Sequence, residues 1–237
     1  MSAFLEAFSW LADPDHWSGP GGIPQRLLEH LWYSGVALGI AALIAVPVGI
    51  AVGHARSRRA EIIAIQTANA GRAVPTFAVL ALVYVLILQY RPDLAFGFLP
   101  TVVALVLLGV PPILVNTTVG VRGVDADLRE SARGMGMSGG QQLRWVEVPL
   151  AAPLVVTGLR IAALQIVATA TLAAFIAGGG FGRYIRDGFT QQDQPQMIAG
   201  AYLVAVLALV LEGAFWLLTR ATAPGGSGGR RLPGRGR

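Results

Sequence analysis

The chain contains no cysteine and no lysine. Without cysteine there is neither a disulfide framework nor a thiolate metal site. Without lysine there is no phosphate-binding Walker A loop and no Schiff-base chemistry. All 18 basic residues are therefore arginine, and any ATP that drives this protein is hydrolysed on another chain. Charge is scarce as well, at 13% of residues against about 25% in soluble domains. Histidine is limited to His16, His30 and His54, and no HExxH or similar metal-binding spacing occurs. The first basic residue is Arg26, so the start lacks the positive region of a cleavable signal sequence.

What remains is apolar: 54% of the 237 residues are hydrophobic, and several runs reach the roughly 20 residues that cross a bilayer. The spans are expected at Leu31–Gly53, Val74–Tyr90, Phe98–Val119, Leu154–Ala177 and Met197–Thr219. Asn69, Gly71, Arg72 and Pro75 interrupt the second apolar stretch, leaving Glu61–Ala70 as a partial or interfacial helix. The expected fold is an all-α polytopic membrane protein with about five transmembrane helices. Arginines set its orientation. HARSRR (54–59), the 120–153 loop and the tail are arginine-rich, whereas the start carries Glu6, Asp13, Asp15 and Glu29 against Arg26 alone. The N-terminus is then outside and the C-terminus cytoplasmic.

Three regions follow: an external or interfacial segment at 1–28, the membrane domain at 29–220, and a disordered basic tail at 221–237. In the first, Phe4, Phe8 and Leu11 have helical spacing and suit either a surface-lying amphipathic helix or a disordered start.

The longest polar stretch between spans is ESARGMGMSGGQQLRWVEVP (130–149). Leu128, Ala132 and Met135 fall on one helical face, and Asp125 and Arg129 make an i, i+4 pair. Gly134 and Gly136 end that helix. Ser138 and Gln141 have capping-box spacing for a second helix over Gly139–Val146, and Pro149 and Pro153 punctuate the approach to the next span. The product is a helix–turn–helix elbow with a small-residue, methionine-bearing tip, suited either to a partner's groove or to a lipid surface.

This stretch resembles the cytoplasmic EAA motif of ABC-importer permeases. Glu130-Ser131-Ala132 stand for EAA, Gly136 for the motif glycine, Val146 for its isoleucine and Val148-Pro149 for its Leu-Pro. The resemblance implies a coupling helix, with Glu130, Ser131, Ala132, Gly134, Met135, Gly136, Met137, Ser138 and Pro149 engaging an ATP-binding subunit. GRAVPTFAVLAL (71–82), PPILVNTTVGVRGVD (111–125) and TLAAFIAGGGFGRYIRDGF (171–189) are similar to permeases for quaternary-amine osmoprotectants: glycine betaine, choline, carnitine. Methionine-importer permeases share the size and the motif. The implied partners are two ATP-binding subunits, a second permease chain, identical or paralogous, and an extracytoplasmic binding protein, in the bacterial cytoplasmic membrane. No nucleic acid enters, and this chain binds no cofactor, ATP being used by the partner.

Polar residues inside the spans face the bundle or a water path. Asn116, Thr117, Gln165, Thr169 and Glu212 are the candidates for a translocation path, with interhelical hydrogen bonding as the alternative. Glu212 has Arg220 or Gln165 as expected partner. Arg72 suits a gate or snorkelling to headgroups. Trp32, Tyr33, Tyr84, Tyr90, Tyr202 and Trp216 lie near span ends, as interfacial anchors do. Two motifs are decoys. Gly136–Gly140 matches G-x-S-x-G without a strand or histidine partner. Gly178–Gly182 resembles a phosphate loop and suits a flexible exit from the fourth span or a dock for the binding protein. A channel or an intramembrane enzyme is the distant alternative.

Overall fold

Pro75 and the αL residue Arg56 set the breaks of the first half of the chain. The structure is a computed structural model that describes residues 2–73, 75–176 and 178–222. α1 (Ser2–Ala12) leads through a 3-10 turn into α2 (Ile23–Ala55), which carries Pro24 in its first turn, where a missing N–H costs nothing. α2 stops at Arg56, whose φ is 53°. The Arg56 guanidinium then caps a neighbour, donating to the carbonyls of Arg122 (3.2 Å) and Val124 (3.4 Å). α3 (Arg58–Ala73) and α4 (Thr76–Tyr90) are separated by Pro75, which caps α4. α5 (Phe98–Arg122) runs through Pro111 and Pro112. The elbow holds α6 (Ala126–Gly134) and α7 (Gly139–Gln142), and after it come α8 (Val148–Ala170), a 3-10 turn (Thr171–Ile176), α9 (Gly182–Gln191) and α10 (Gln194–Thr222). No strand occurs among the described residues.

Four stretches are long and apolar enough to cross a membrane: Ile23–Ala55, Phe98–Arg122, Gly139–Ile176 and Gln194–Arg220. Three of them contain an expected span, and Gly139–Ile176 covers the expected Leu154–Ala177 up to Ile176, Ala177 lying outside the described residues. The remaining expected span, Val74–Tyr90, is the shorter α4 of 15 residues, roughly 22 Å at 1.5 Å per residue. The interfacial helix expected at Glu61–Ala70 is the longer α3, tied to α5 by an Arg122–Glu61 ion pair at 3.1 Å. The side chain of Arg72, and residues 223–237 of the expected tail, lie outside the described residues.

The core sits where α2, α5 and α8 meet. Along α2 the buried residues include Ala37, Ala41, Ala45, Gly49 and Gly53, one every fourth position. Such a stripe of small residues lets backbones approach where lipid supplies no hydrophobic drive between helices. A Cβ on Gly49 would lie 2.7 Å from the Thr117 Cβ, and one on Gly53 2.8 Å from the Val121 Cβ. Across the other face of α5, a Cβ on Gly158 would lie 2.9 Å from the Asn116 Cβ. Ile113 and Ile166, both fully buried, fill the space between.

At the opposite end from the elbow, α1 packs on α10. Phe4 and Phe8 are exposed while Ala7 is buried, and Trp10 stands edge-on to Tyr184 with ring centroids 5.2 Å apart. Burial pushes the Tyr184 hydroxyl up to about 12. It stays protonated and donates to the Gly21 carbonyl at 2.7 Å, tying α9 to the turn before α2.

Candidate functional site

The elbow is built from two local signals. α6 (Ala126–Gly134) starts at Asp125, whose carboxylate accepts from the Asp127 N–H at 2.7 Å. It ends in a paired turn: the Met137 N–H reaches the Ala132 carbonyl (3.1 Å) and the Gly136 N–H the Arg133 carbonyl (2.9 Å). This pairing needs a left-handed residue, and Gly136 supplies it with φ +83°. Met137 leads into Ser138, which forms a complete capping box with Gln141 at the start of α7 (Gly139–Gln142). Glu130, Ser131, Met135 and Gly136 are exposed at the tip, Met135 by 73%, and Leu128 and Trp145 are exposed beside them. Ala132 is buried under the tip.

Of the face expected at Leu128, Ala132 and Met135, Ala132 is buried and the outer two are exposed. Two details differ from the sequence reading. Asp125 and Arg129 form no ion pair: the carboxylate is spent on the cap, and Arg129 Nε donates to the Asp125 backbone carbonyl at 3.3 Å. The second helix does not end at Val146. It runs on through a π-helical turn (Leu143–Glu147) into α8, so Gly139–Ile176 is one helical stretch of 38 residues. A proline ring clashes with the carbonyl four residues earlier. The widened turn lies directly ahead of Pro149, and Pro153 is carried inside α8.

A polar chain that no spacing in the sequence announced holds the elbow to the bundle. Arg133 Nε donates to Gln142 Oε1 (3.1 Å), and Gln142 Nε2 donates to Glu147 Oε1 (2.9 Å). His54 Nδ1, in the last turn of α2, donates to Glu147 Oε2 at 2.6 Å. An ionised carboxylate only accepts, which fixes this direction.

The span residues expected to line a path each have their own setting. Asn116 Nδ2 donates to the carbonyl of Pro112 in its own helix (2.8 Å). Thr117 is fully buried against Gly49. Gln165 and Thr169 are half-buried one turn apart on α8, and Gln165 Oε1 is buried without a hydrogen-bond partner. Glu212 pairs with neither Arg220 nor Gln165. Its carboxylate takes a two-pronged contact from Arg160 on α8, with Nε to Oε2 at 2.9 Å and Nη2 to Oε1. Arg220 instead stacks over the Trp216 ring at 3.8 Å. An apolar cavity of about 460 Å³ between α3, α4 and α5, lined by Thr67, Thr76, Leu107 and Pro111 among others, contains none of the five candidates.

Gly178–Gly182 is neither a flexible exit nor an anion cradle. Its amides are already committed to α2: Gly180 N–H to Glu29 Oε2 (2.8 Å), Gly179 N–H to the Tyr33 hydroxyl (3.4 Å), and Phe181 N–H to His30 Nδ1 (3.3 Å). His30 is buried and donates its Nε2–H to the Val167 carbonyl (2.9 Å). The glycines serve close approach. A Cβ on Gly182 would overlap the Thr171 carbonyl, and one on Gly178 would lie 2.6 Å from the Ala173 carbonyl. At the other decoy, the Ser138 hydroxyl accepts from the Gln141 N–H as a cap and follows a helix, not a strand.

Comparison with known proteins agrees with this geometry. The family model of binding-protein-dependent transport system inner membrane components matches residues 45–223. The chain is similar to the glycine betaine/carnitine/choline transport system permease protein OpuCB of Bacillus subtilis (strain 168), at 36% identity over 86% of this chain and 89% of that one. It is also similar to the carnitine transport permease protein OpuCB of Listeria monocytogenes, at 38% identity over 83% and 86%. Among solved structures, a chain of the MetNI methionine ABC transporter in an inward-facing conformation superposes with a TM-score of 0.73 over 85% of this chain and 96% of that one, at 20% identity, a likeness of fold. The chain belongs to the family of binding-protein-dependent transport system inner membrane components, the permeases of ABC importers.

Proposed function

We propose that this chain is the membrane-spanning subunit of an ATP-driven importer for a small quaternary-amine osmoprotectant of the glycine betaine, choline or carnitine kind. The curated relatives support the solute class. In this reading the complex has two permease chains, identical or paralogous, two ATP-binding subunits and an extracytoplasmic binding protein, in the bacterial inner membrane. The N-terminus lies outside and the elbow in the cytoplasm. This chain performs no covalent chemistry, and ATP is bound by the partner.

The observation that carries the coupling role is the Gly136 turn. It presents Glu130, Ser131 and Met135 on an exposed tip, and beyond its chain neighbours nothing of this chain lies within 4 Å of a Cβ at Gly136. That geometry allows a specific test. Gly136→Ala and Gly136→Trp both meet the left-handed backbone, which costs an L-residue about 1–2 kcal/mol; neither side chain is crowded at its Cβ by this chain. A docked ATP-binding subunit makes the two differ. In vesicles with the complete complex, Gly136→Ala retains much of the ATP-driven uptake of labelled glycine betaine and Gly136→Trp abolishes it. Equal uptake by the two variants rejects docking at this turn. Uptake of labelled methionine but not of betaine, choline or carnitine rejects the solute class.

A further inference from the structure

Glu147 and Gln142 expose 1% and 2% of their surface, and neither occupies a position that the coupling motif requires. A buried carboxylate is sustained only when its oxygens are partnered. Glu147 has a partner on each oxygen, and the two partners lie on different parts of the molecule. Gln142 belongs to the elbow and is itself held by Arg133, before the Gly136 turn. His54 belongs to the end of α2, 93 residues away in sequence. Glu147 also sits in the π-helical turn, an irregularity concentrated at functional positions.

The connectivity gives the link a purpose. The elbow is continuous with α8 and moves it directly. α2 has no such continuity: its end meets the elbow through His54, while Arg56 two residues on holds the carbonyls of Arg122, at the end of α5, and Val124 just past it. We propose that Glu147 is a positioning residue for energy coupling. Arg133, Gln142, Glu147 and His54 form a latch, buried at Gln142 and Glu147, that makes the elbow and the end of α2 move as one body, so that a displacement of the elbow reaches α2 and α5 as well as α8. This rests on the reading of the elbow as the docking site of the ATP-binding subunit.

The test uses the complete complex in vesicles, with three readouts: co-purification of the ATP-binding subunits, ATP hydrolysis stimulated by the loaded binding protein, and solute moved per ATP. Glu147→Ala retains the ATP-binding subunits and lowers solute moved per ATP about tenfold, the scale of one lost hydrogen bond to a charged group. Glu147→Gln recovers most of the ratio. Its amide accepts from Gln142 and donates to the other tautomer of His54. Should Glu147→Ala not reach the membrane, the double variant His54→Leu/Glu147→Leu replaces the pair with apolar groups, a change that tends to spare stability. It assembles and shows the same lowered ratio. A wild-type ratio in Glu147→Ala or in the double variant overturns the latch, as does loss of the ATP-binding subunits from either. Gly136→Trp separates the two readings. If it leaves assembly and transport intact, docking at the elbow fails. If it abolishes them while the Glu147 variants transport normally, the latch alone fails.

Discussion

Glycine-to-alanine replacements along α2 and α5 measure how tightly the three core helices are locked. At Gly49 the new Cβ lies 2.7 Å from the Thr117 Cβ and 3.1 Å from the Leu114 carbonyl oxygen. Ordinary carbon–carbon contact is about 3.5–4.0 Å, so α2 and α5 must part by about 1 Å. The obstacles are a β-carbon and a backbone atom, and neither moves without its helix. A gap of that size forfeits up to about half of each dispersion contact it opens, and overpacking of this kind costs about 1–3 kcal/mol. Alanine's better helix propensity returns at most about 1 kcal/mol. Gly39 lies on the same helix with nothing within 4 Å of its Cβ, so Gly39→Ala shows the propensity term alone. Gly109 is intermediate: its Cβ meets the terminal Cδ1 of Ile166 at 2.8 Å, a side-chain end that can rotate away, and the fixed Ala41 Cβ at 3.1 Å, a milder overlap than the 2.7 Å at Gly49. Thermal unfolding of the detergent-solubilised protein is therefore expected to rank Gly39→Ala at or above wild type, then Gly109→Ala, then Gly49→Ala. If Gly49→Ala unfolds at the same temperature as Gly39→Ala, the packing argument is wrong.

Two further replacements probe contacts between distant segments. Glu212→Gln and Arg160→Gln each leave one charge among spanning helices and are expected to lower folded protein, by about 2–3 kcal/mol in a unfolding measurement; the exchange Arg160→Glu/Glu212→Arg recovers most of the loss, and failure to recover it denies the pair a stabilising role. Gly182→Ala drives a methyl into the Thr171 carbonyl and is expected to destabilise the packing of α9 on the bundle, read as faster proteolysis at the α8–α9 junction, whereas Gly213→Ala on α10, with nothing within 4 Å, is neutral.

The parts of the fold legible in the sequence were those whose causes are local. Ser138 and Gln141 stand three residues apart and cap the backbone between them, so the spacing alone describes the bond. Pro75 stands at the break between α3 and α4, although Pro111, Pro112 and Pro153 are carried inside helices. The elbow tip is local as well, because Gly136 must take a backbone conformation that other residues avoid. Contacts between helices carried no such mark. Arg160 and Glu212 are 52 residues apart, and nothing in either neighbourhood selects the other over Arg220. Glu147 follows the exposed Arg144 and Trp145, and its partners His54 and Gln142, which bury it, are not marked by its own neighbourhood. Asp125 had two local uses for one carboxylate, a cap and an ion pair, and the cap prevailed. The glycines at 178–182 were ambiguous for a physical reason: glycine serves loose turns and tight contacts alike, and only the neighbouring Glu29, His30 and Thr171 decide between them.

With an ATP-binding subunit docked at the elbow, as proposed, the unbroken run from Gly139 to Ile176 makes the elbow the short arm of a lever. At about 1.5 Å per residue its 38 residues span roughly 57 Å, nearly twice the hydrocarbon thickness of about 30 Å. The nine residues before Val148 project about 13 Å, leaving a long arm of about 43 Å on the other side of Pro149. With the fulcrum near that proline, a 2 Å push on the tip sweeps the far end, beside Gly178–Gly182, through about 6–7 Å. The widened turn and the two prolines lie at the fulcrum, where stiffness decides how much of the push is delivered and how much is lost in bending.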